Sequence, residues 1–384
     1  MARALHFDGF EGAAGGTAVP AARLDVRDWR GFGAAEVARW DALARGASEP
    51  NPFYESWYLL PSLEALDPEG DVALLVLERG GVWLGVMPLV RAGRYYRWPV
   101  PNLKGWVHAN AFLGAPLVAR GAEEAFWQAL LDFADREAGR ALFLHLAALP
   151  LEGALYEALI RVAGARAMGV VFREERALLR SDVGAEAYLE GALTGKKRKE
   201  LRRQFARLSE QGELALVRQR DADGLAEWSA AFLALERAGW KGKAGSALGC
   251  AEATSGLFVR ALEGAAARGR LERLMLTLDG TPIAMLATFL TAPGSFSYKT
   301  AFDEALARFS PGVLLQRENL ALLDADGIDW CDSCAAADHP MIDHLWRERR
   351  AVGRVSIAIG SALRRAAFSL LLKAELGRRP DGVV

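Results

Sequence analysis

Cysteine is scarce in this chain, and so are histidine and long uncharged stretches. Its three cysteines, Cys250, Cys331 and Cys334, cannot build a disulfide framework, so a reducing cytoplasm is the expected compartment. No uncharged apolar run approaches the roughly 20 residues that a membrane-spanning helix needs. From Met1 to Ala22, acidic and aromatic residues stand where a secretory signal needs an unbroken apolar core, so no such signal is expected. Excess charge is missing as well. Lys+Arg 47 against Asp+Glu 48 leaves a net −1, which argues against a general nucleic-acid binder. What is present is ordinary globular material: 384 residues, 52% hydrophobic and 25% charged, enough for two domains or one large double unit.

Hydrophobic spacing along the chain switches between helical and alternating in an order that occurs twice. In the first half, an amphipathic helix near Ala34–Ala44 and a helical segment from Tyr54 to Leu66 precede two apolar runs. These runs, Val72–Glu78 and Val82–Val90, flank Gly80-Gly81, a hairpin signal. Proline-broken aromatic strands from Tyr95 to Val118 follow, then a helix over Glu123–Ala138 and a strand over Ala141–Leu146. A helix over Leu151–Val162 and a strand ending at Leu179 complete the unit. The second half opens with a basic helix, Lys196–Leu208, and a short strand, Leu214–Arg218. Helices over Leu225–Arg237 and Ser255–Ala267 come next. The strands Leu271–Leu278 and Pro282–Leu290 then form a hairpin, with Asp279-Gly280 where positive φ is required. A third strand, Ser295–Thr300, leads to a helix over Pro311–Asp324, a strand over Ile328–Asp332 and a helix from about Met341. The pattern is a weak internal duplication of an α/β unit with its junction near Asp182–Gly191. Residues 1–182 and 183–350 are the expected halves, and 351–384 an amphipathic basic tail.

One helix start invites chemistry. Ser310 is placed as N-cap and Pro311 as first helical residue, the first acidic residue of the helix is Glu318, and Arg308 stands just ahead. Free backbone N–H groups at this helix start, the positive end of the helix dipole and a guanidinium would together form an anion site. A well-capped structural helix explains the same residues. The first half supplies an internal control, because its corresponding helix begins Ala122-Glu123-Glu124, with two carboxylates where an anion would lie.

Several segments together resemble a known family. They are Leu235-Glu236, Trp240-Lys241-Gly242, Gly245-Ser246, Pro282-Ile283-Ala284, Tyr298-Lys299, Phe302-Asp303-Glu304 and Ser310-Pro311-Gly312. The set resembles the tandem acyltransferases of the GNAT superfamily, in the branch of the cellulose-biosynthesis acetyltransferases, with the Fem peptidoglycan aminoacyltransferases as more distant relatives. Asn51-Pro52-Phe53, Pro88-Leu89 and the helix containing Trp40 extend the likeness into the first half, so that it runs from about Val26 to Trp346. The resemblance implies an α/β (α+β) chain of two tandem GNAT-like folds, each a mixed twisted sheet flanked by helices. It also implies acyl-CoA as donor and an amine as acceptor, with residues 1–182 degenerate and on the acceptor side. The phosphate loop departs from the single-domain pattern, with Gly312 alone after Pro311.

Aminolysis of a thioester needs a neutral amine, hence a base, and a donor for the developing oxyanion. His339, oriented by Asp338 or Asp332, is the first candidate base, with Asp303 the second and Glu304 a rival. His339 could instead cap a helix beginning near Met341. Arg308, Ser310, Pro311, Gly312 and Val313 would hold the acyl-CoA pyrophosphate, and Trp240, Lys241 and Lys299 would face the acceptor. Cys331, Cys334, His339 and His344 have C-x2-C-x4-H-x4-H spacing, near that of a zinc knuckle. Cys331 continues a strand and no glycine supplies the tight turns, so no metal is expected. Trp330-Cys331-Asp332-Ser333-Cys334 mimics a thioredoxin motif without the preceding βαβ order.

The basic run Lys196-Lys197-Arg198-Lys199 reads as a solvated face, or as a site for anionic headgroups or a phosphorylated acceptor. The tail, Val352–Leu376, mixes apolar and basic residues in a way that suits an anionic bilayer, the protein body or a second subunit. An amino-lipid acceptor follows, and with it the bacterial ceramide synthases of this superfamily, or else an amino-sugar precursor. Contact with the inner face of a membrane is the matching expectation. A non-catalytic double module and an aminoacyl-tRNA-dependent ligase are the alternatives.

Overall fold

The computed structural model describes residues 21–337, 339 and 341–377. The first half comprises β1 (Arg23–Arg27), α1 (Ala34–Arg45), α2 (Ser56–Leu66), β2 (Ala73–Arg79), β3 (Val82–Ala92), β4 (Asn102–Gly105), β5 (Leu117–Val118), α3 (Glu123–Glu137), β6 (Phe143–Pro150), α4 (Ala154–Ala163) and β7 (Met168–Leu179). The second comprises α5 (Ala185–Ala192), α6 (Gly195–Ser209), β8 (Leu214–Gln219), α7 (Leu225–Ala238), α8 (Trp240–Lys243), α9 (Glu252–Ala266), β9 (Leu271–Leu278), β10 (Thr281–Thr291), β11 (Gly294–Phe302), α10 (Pro311–Asn319) and β12 (Trp330–Asp332). Strand β13 (Glu348–Ala358) and helix α11 (Ala362–Leu376) close the chain. Both expected hairpins form, and in each the turn glycine carries positive φ: 55° and 84° at Gly80 and Gly81, 75° at Gly280.

All strands join one mixed sheet in the order β1-β2-β3-β4-β6-β13-β7-β12-β11-β10-β9-β8, with β5 beside β3. Two neighbouring pairs are parallel, β4 with β6 and β11 with β12, one in each half. The other pairs are antiparallel. The sheet therefore runs unbroken across the expected junction, through the pairing of β7 with β12. The core does the same. Phe53 and Trp57 of the first half meet Phe296 and Phe289 of the second at centroid distances of 5.8 and 4.9 Å. Each such aromatic pair adds about 0.5–1.5 kcal/mol beyond the area it buries.

Two local expectations fail. Residues 348–358, taken in part as an amphipathic helix, form β13 instead, wedged between β6 and β7 and antiparallel to both. Its β-branched residues Val352, Val355 and Ile357 are buried on a pleated surface, which suits their stiff side chains. Gly360, at φ 82°, turns the chain into α11. That helix docks on the protein body: Phe368 stacks on Phe143 at 4.8 Å and Leu372 packs on Gly169. Leu363 and Leu370 face outward. The helix expected from Met341 is replaced by short turns. Ile342 and Asp343 donate to the His339 carbonyl, and Arg349 donates to the Trp346 carbonyl and the Asp343 carboxylate.

Candidate active site

Strands β11 and β12 stay together only from Gly294 to Phe296, opposite Trp330 to Asp332. Gly294 is required there, since a Cβ would lie 2.4 Å from the Trp330 ring. Beyond this contact the partners part. Asp332 ends β12, its carboxylate accepting the Cys334 amide at 2.8 Å and meeting Arg350 at 3.3 Å, with Cys334 at φ 53°. Meanwhile β11 runs on to Phe302 beside β10 alone, and its register slips at Tyr298, so that Ala287 faces Lys299 while Thr288 faces Ser297. A slip of this kind is a β-bulge, which re-aims side chains next to a functional cleft.

Tyr298 and Lys299 thus meet residues from the other half. The Lys299 ammonium donates to Asn110 Oδ1 at 2.8 Å and sits 4.9 Å from the Phe112 ring. Tyr58 donates its hydroxyl proton to the Asn110 carbonyl, leaving its oxygen to accept from Tyr298 at 3.2 Å. His108 stacks on Tyr58 at 6.0 Å, its Nδ1 accepts the Asn110 amide, and its buried Nε2 has no partner among the described residues. Burial, and then the charge of Lys241, push the Lys299 pKa down to about 8. Burial, with Lys299 adding to it, pushes His108 down to about 4.

Lys241 arrives on α8. Gly242 lets the chain turn there, since a Cβ would fall 1.8 Å from the Arg237 carbonyl oxygen. Lys241 pairs with the buried Glu236 at 2.9 Å, and Glu236 also accepts the Leu248 amide at 2.8 Å. Glu304 holds the start of α8 through the Trp240 amide and Lys243. The Trp240–Lys243 segment is therefore a pinned helical turn, with the Trp240 side chain exposed. His339 belongs to the same neighbourhood. Burial, and then the charge of Lys241, lower its pKa, and its buried Nδ1 lacks a partner among the described residues.

The structure thus brings Lys241, Lys299 and His339 within one electrostatic neighbourhood. It assigns other duties elsewhere. Asp332 is spent on Cys334 and Arg350 rather than on orienting His339, and Asp338 lies outside the described residues. Asp303 caps the turn after β11, accepting the Ala305 amide at 2.9 Å. Burial keeps the Cys331 and Cys334 thiols protonated.

The start of α10 also differs from expectation. Ser310 sits at φ 54°, ψ 49° and makes no side-chain cap. The preceding tight turn, closed by its own amide on Ala307, forces this conformation. Its carbonyl takes the Val313 and Leu314 amides at 2.9 and 3.0 Å, and Pro311 has none to offer. Gly312 is buried, and a Cβ there would lie 2.5 Å from Met341 Sδ. Of the expected row of open amides only that of the buried Gly312 has no acceptor among the described residues, and Arg308 lies exposed against Phe309. Beside the helix start lies a cavity of about 240 Å³ lined by Lys197, Gln204, Ser310, Val313, Met341 and His344. Gln204 donates to Ser310 Oγ at 3.2 Å. Lys197 belongs to the basic run already noted in the sequence, whereas Gln204, like Tyr58, His108 and Asn110, carries no local sequence signal. Lys299 and Asn110 are 189 residues apart.

Residues 195–339 match the family described as acetyltransferase (GNAT) domain. This segment is thus similar to a GNAT domain. It runs from α6 to His339 and contains the bulged strand, Lys241, Lys299 and the start of α10. No curated protein matches the sequence. Among solved structures, FemX is 11% identical with a TM-score of 0.54, over 87% of this chain and 98% of that one. A Bacteroides thetaiotaomicron protein of unknown function is 11% identical with a TM-score of 0.55, over 84% and 97%. A structure described as the C-terminal domain (DUF2156) of a lysylphosphatidylglycerol synthetase from Agrobacterium fabrum is 12% identical with a TM-score of 0.53, over 88% and 97%. At these identities the likeness is one of fold, and it spans both sides of the GNAT segment. Among the described residues no helix is long and apolar enough to cross a membrane.

Proposed function

We propose that the protein is an acyl-CoA-dependent N-acyltransferase acting on the amine of a cell-envelope molecule, an amino-lipid such as a sphingoid base or an amino-sugar precursor. One observation carries the reading: within the GNAT segment, β11 leaves β12 at a bulge that sets a half-buried lysine between two halves of the molecule. The donor would supply an activated acyl carbon. The residues at the start of α10 suit it in part. Lys197 offers charge, Ser310 and Gln204 offer polar contacts, and Leu193, Leu201 and Met341 offer an apolar wall. Arg308 stands on the adjoining turn, while the Val313 amide is already used.

His339, whose pKa is lowered by burial and then by Lys241, would take a proton from the acceptor amine. The Lys299 ammonium, fixed by Asn110, would donate to the acyl oxygen as negative charge develops there. Trp240 and Lys241 would border the acceptor.

The deciding experiment is calorimetric titration with acetyl-CoA and palmitoyl-CoA, followed by thiol release against sphinganine and glucosamine. Binding of either donor and amine-dependent release are expected. A folded protein that binds neither would remove the reading and leave a non-catalytic module. The exposed face of α6, with Lys196, Lys197, Lys199, Arg202, Arg203 and Arg207, favours a second reading, transfer from aminoacyl-tRNA. It would require tRNA binding that weakens steeply with salt.

A further inference from the structure

A second cleft lies away from the GNAT segment. Register places Lys104 of β4 beside His145 of β6, His145 beside Ser356 of β13, and Arg354 of β13 beside Phe172 of β7. Lys104, His145, Phe172 and Arg354 line one cavity of about 540 Å³, and Ser356 lies buried behind His145. That volume lies within the range of small-molecule sites.

The charges in it are unbalanced. Among the described residues, no carboxylate comes within 4.0 Å of the cationic nitrogens of Arg94, Lys104 or Arg354. Glu174, the carboxylate of the lining, is committed to Arg176 at 2.9 Å. Burial, and then Arg354, lower the pKa of Lys104. Burial, with Lys104 and Arg354 adding to it, pushes His145 down to about 4, while its Nδ1 is fixed 2.9 Å from Ser356 Oγ. Like charges have thus been gathered at a partly dry sheet face, an arrangement that an anion would stabilise.

The mouth is built as well. Tyr95 and Trp98 exchange both backbone hydrogen bonds across a tight turn, which holds Tyr96 at φ 50°, a costly conformation for a bulky residue. The exposed Tyr96 ring is held there by Arg354, which donates to its hydroxyl at 2.9 Å and also lies 4.7 Å from the Phe172 ring. Two partly exposed aromatic faces therefore flank the cations.

We propose that this cleft is a second ligand site, which binds a phosphate-bearing anion through Lys104, Arg354 and Arg94 while the carrier of the phosphate lies against Tyr96 and Phe172. The carrier is either a soluble molecule or a lipid, and the two sources separate experimentally. Inorganic pyrophosphate is titrated calorimetrically in one arm. In the other, vesicles of phosphatidylcholine with phosphatidylglycerol are sedimented with the protein. Saturable 1:1 pyrophosphate binding supports a soluble carrier, and co-sedimentation without it supports a lipid headgroup. In either case Lys104→Gln and Arg354→Gln should each weaken binding at least tenfold with near-UV circular dichroism unchanged, while Lys299→Met should leave it intact. Should those inner variants misfold, Arg94→Gln on the exposed rim gives the same test, with a severalfold loss expected. Absence of binding in both arms, or binding that survives these variants, overturns the proposal.

Discussion

Each half of the molecule contains one parallel strand pair, and the two pairs have diverged in what covers them. Around β4 and β6, strand β13 fills the adjoining place in the sheet and leaves an open basic face. Around β11 and β12, the chain after Asp332 folds back, and Met341 covers the start of α10. The helices differ in the same sense. The first turn of α3 carries Glu123 and Glu124, which oppose an anion by about 0.3–1 kcal/mol each, whereas that of α10 carries no acid. Yet α10 commits its Val313 and Leu314 amides to the Ser310 carbonyl. Two parallel pairs in one sheet thus provide two frames, while the segments laid over them decide which groups stay reachable.

The largest effect is expected at the pin between the halves. Arg350, on β13, bonds Glu49 of the first half and Asp332 of the second, all three buried or nearly so. Arg350→Met would strand two carboxylates and cost about 3–5 kcal/mol in urea unfolding. Burial already raises the pKa of Glu49, so part of this loss should vanish at low pH as that carboxyl takes a proton. A loss below about 1 kcal/mol would mean that the halves are held by their aromatic core alone.

Lys299→Met comes next, with kcat falling about 10²–10³-fold if the ammonium serves as donor. Stability should not fall with it. Because the folded pKa is depressed to about 8, the unfolded chain binds more protons between pH 8 and its ordinary value near 10.4, so wild-type stability rises across that window. The variant should lose this slope and match or exceed the wild type at pH 7. Activity should decline above pH 8 in the wild type, and Lys299→Arg should move that limb to higher pH. A variant that unfolds at pH 7 while the alkaline limb stays put would make Lys299 a structural residue.

The parallel pairs themselves can be compared through a glycine in each. Gly294→Ala would drive a Cβ to 2.4 Å from the rigid Trp330 ring, whereas Gly105→Ala would meet the movable end of Met87 at 2.9 Å. Overpacking of about 1–3 kcal/mol is expected for the first and less than 1 kcal/mol for the second. Equal costs in thermal unfolding would show that the splay in the second half has no special need of a close contact.

How far the sequence could be read follows the range of each signal. The hairpins at Gly80-Gly81 and Asp279-Gly280 are local, because turn chemistry and strand alternation sit in the same short window. The position of β13 is not local: its pairing partners, β6 and β7, lie far earlier in the chain, and its interleaved arginines imitate a basic amphipathic helix. Its β-branched Val352, Val355 and Ile357 were the available cue. Lys241, Lys299 and His339 stood out by motif and by the rarity of histidine. Their neighbours His108 and Asn110 did not, since the contact that gives them meaning crosses between halves. Ser310 misleads for a different reason, because a serine caps only from extended backbone, and the turn before it dictates a left-handed φ.

The smallest effect concerns α11, which covers the first half alone. One face is committed, with Phe368 and Leu372 buried and Glu375 accepting the Tyr95 hydroxyl at 2.9 Å. On the other, Leu363 is 84% exposed and Leu370 71%, so replacing both with glutamine should change stability by no more than about 0.5 kcal/mol. That thermodynamic silence makes the pair a clean probe of membrane contact. If this face meets a bilayer, co-sedimentation with phosphatidylglycerol vesicles should drop severalfold in the double variant, while Arg354→Gln, inside the cleft, leaves the face of α11 untouched. If vesicle binding follows Arg354 alone, the helix serves only to brace β13, and the covering of the first half is a matter of stability rather than of surface attachment.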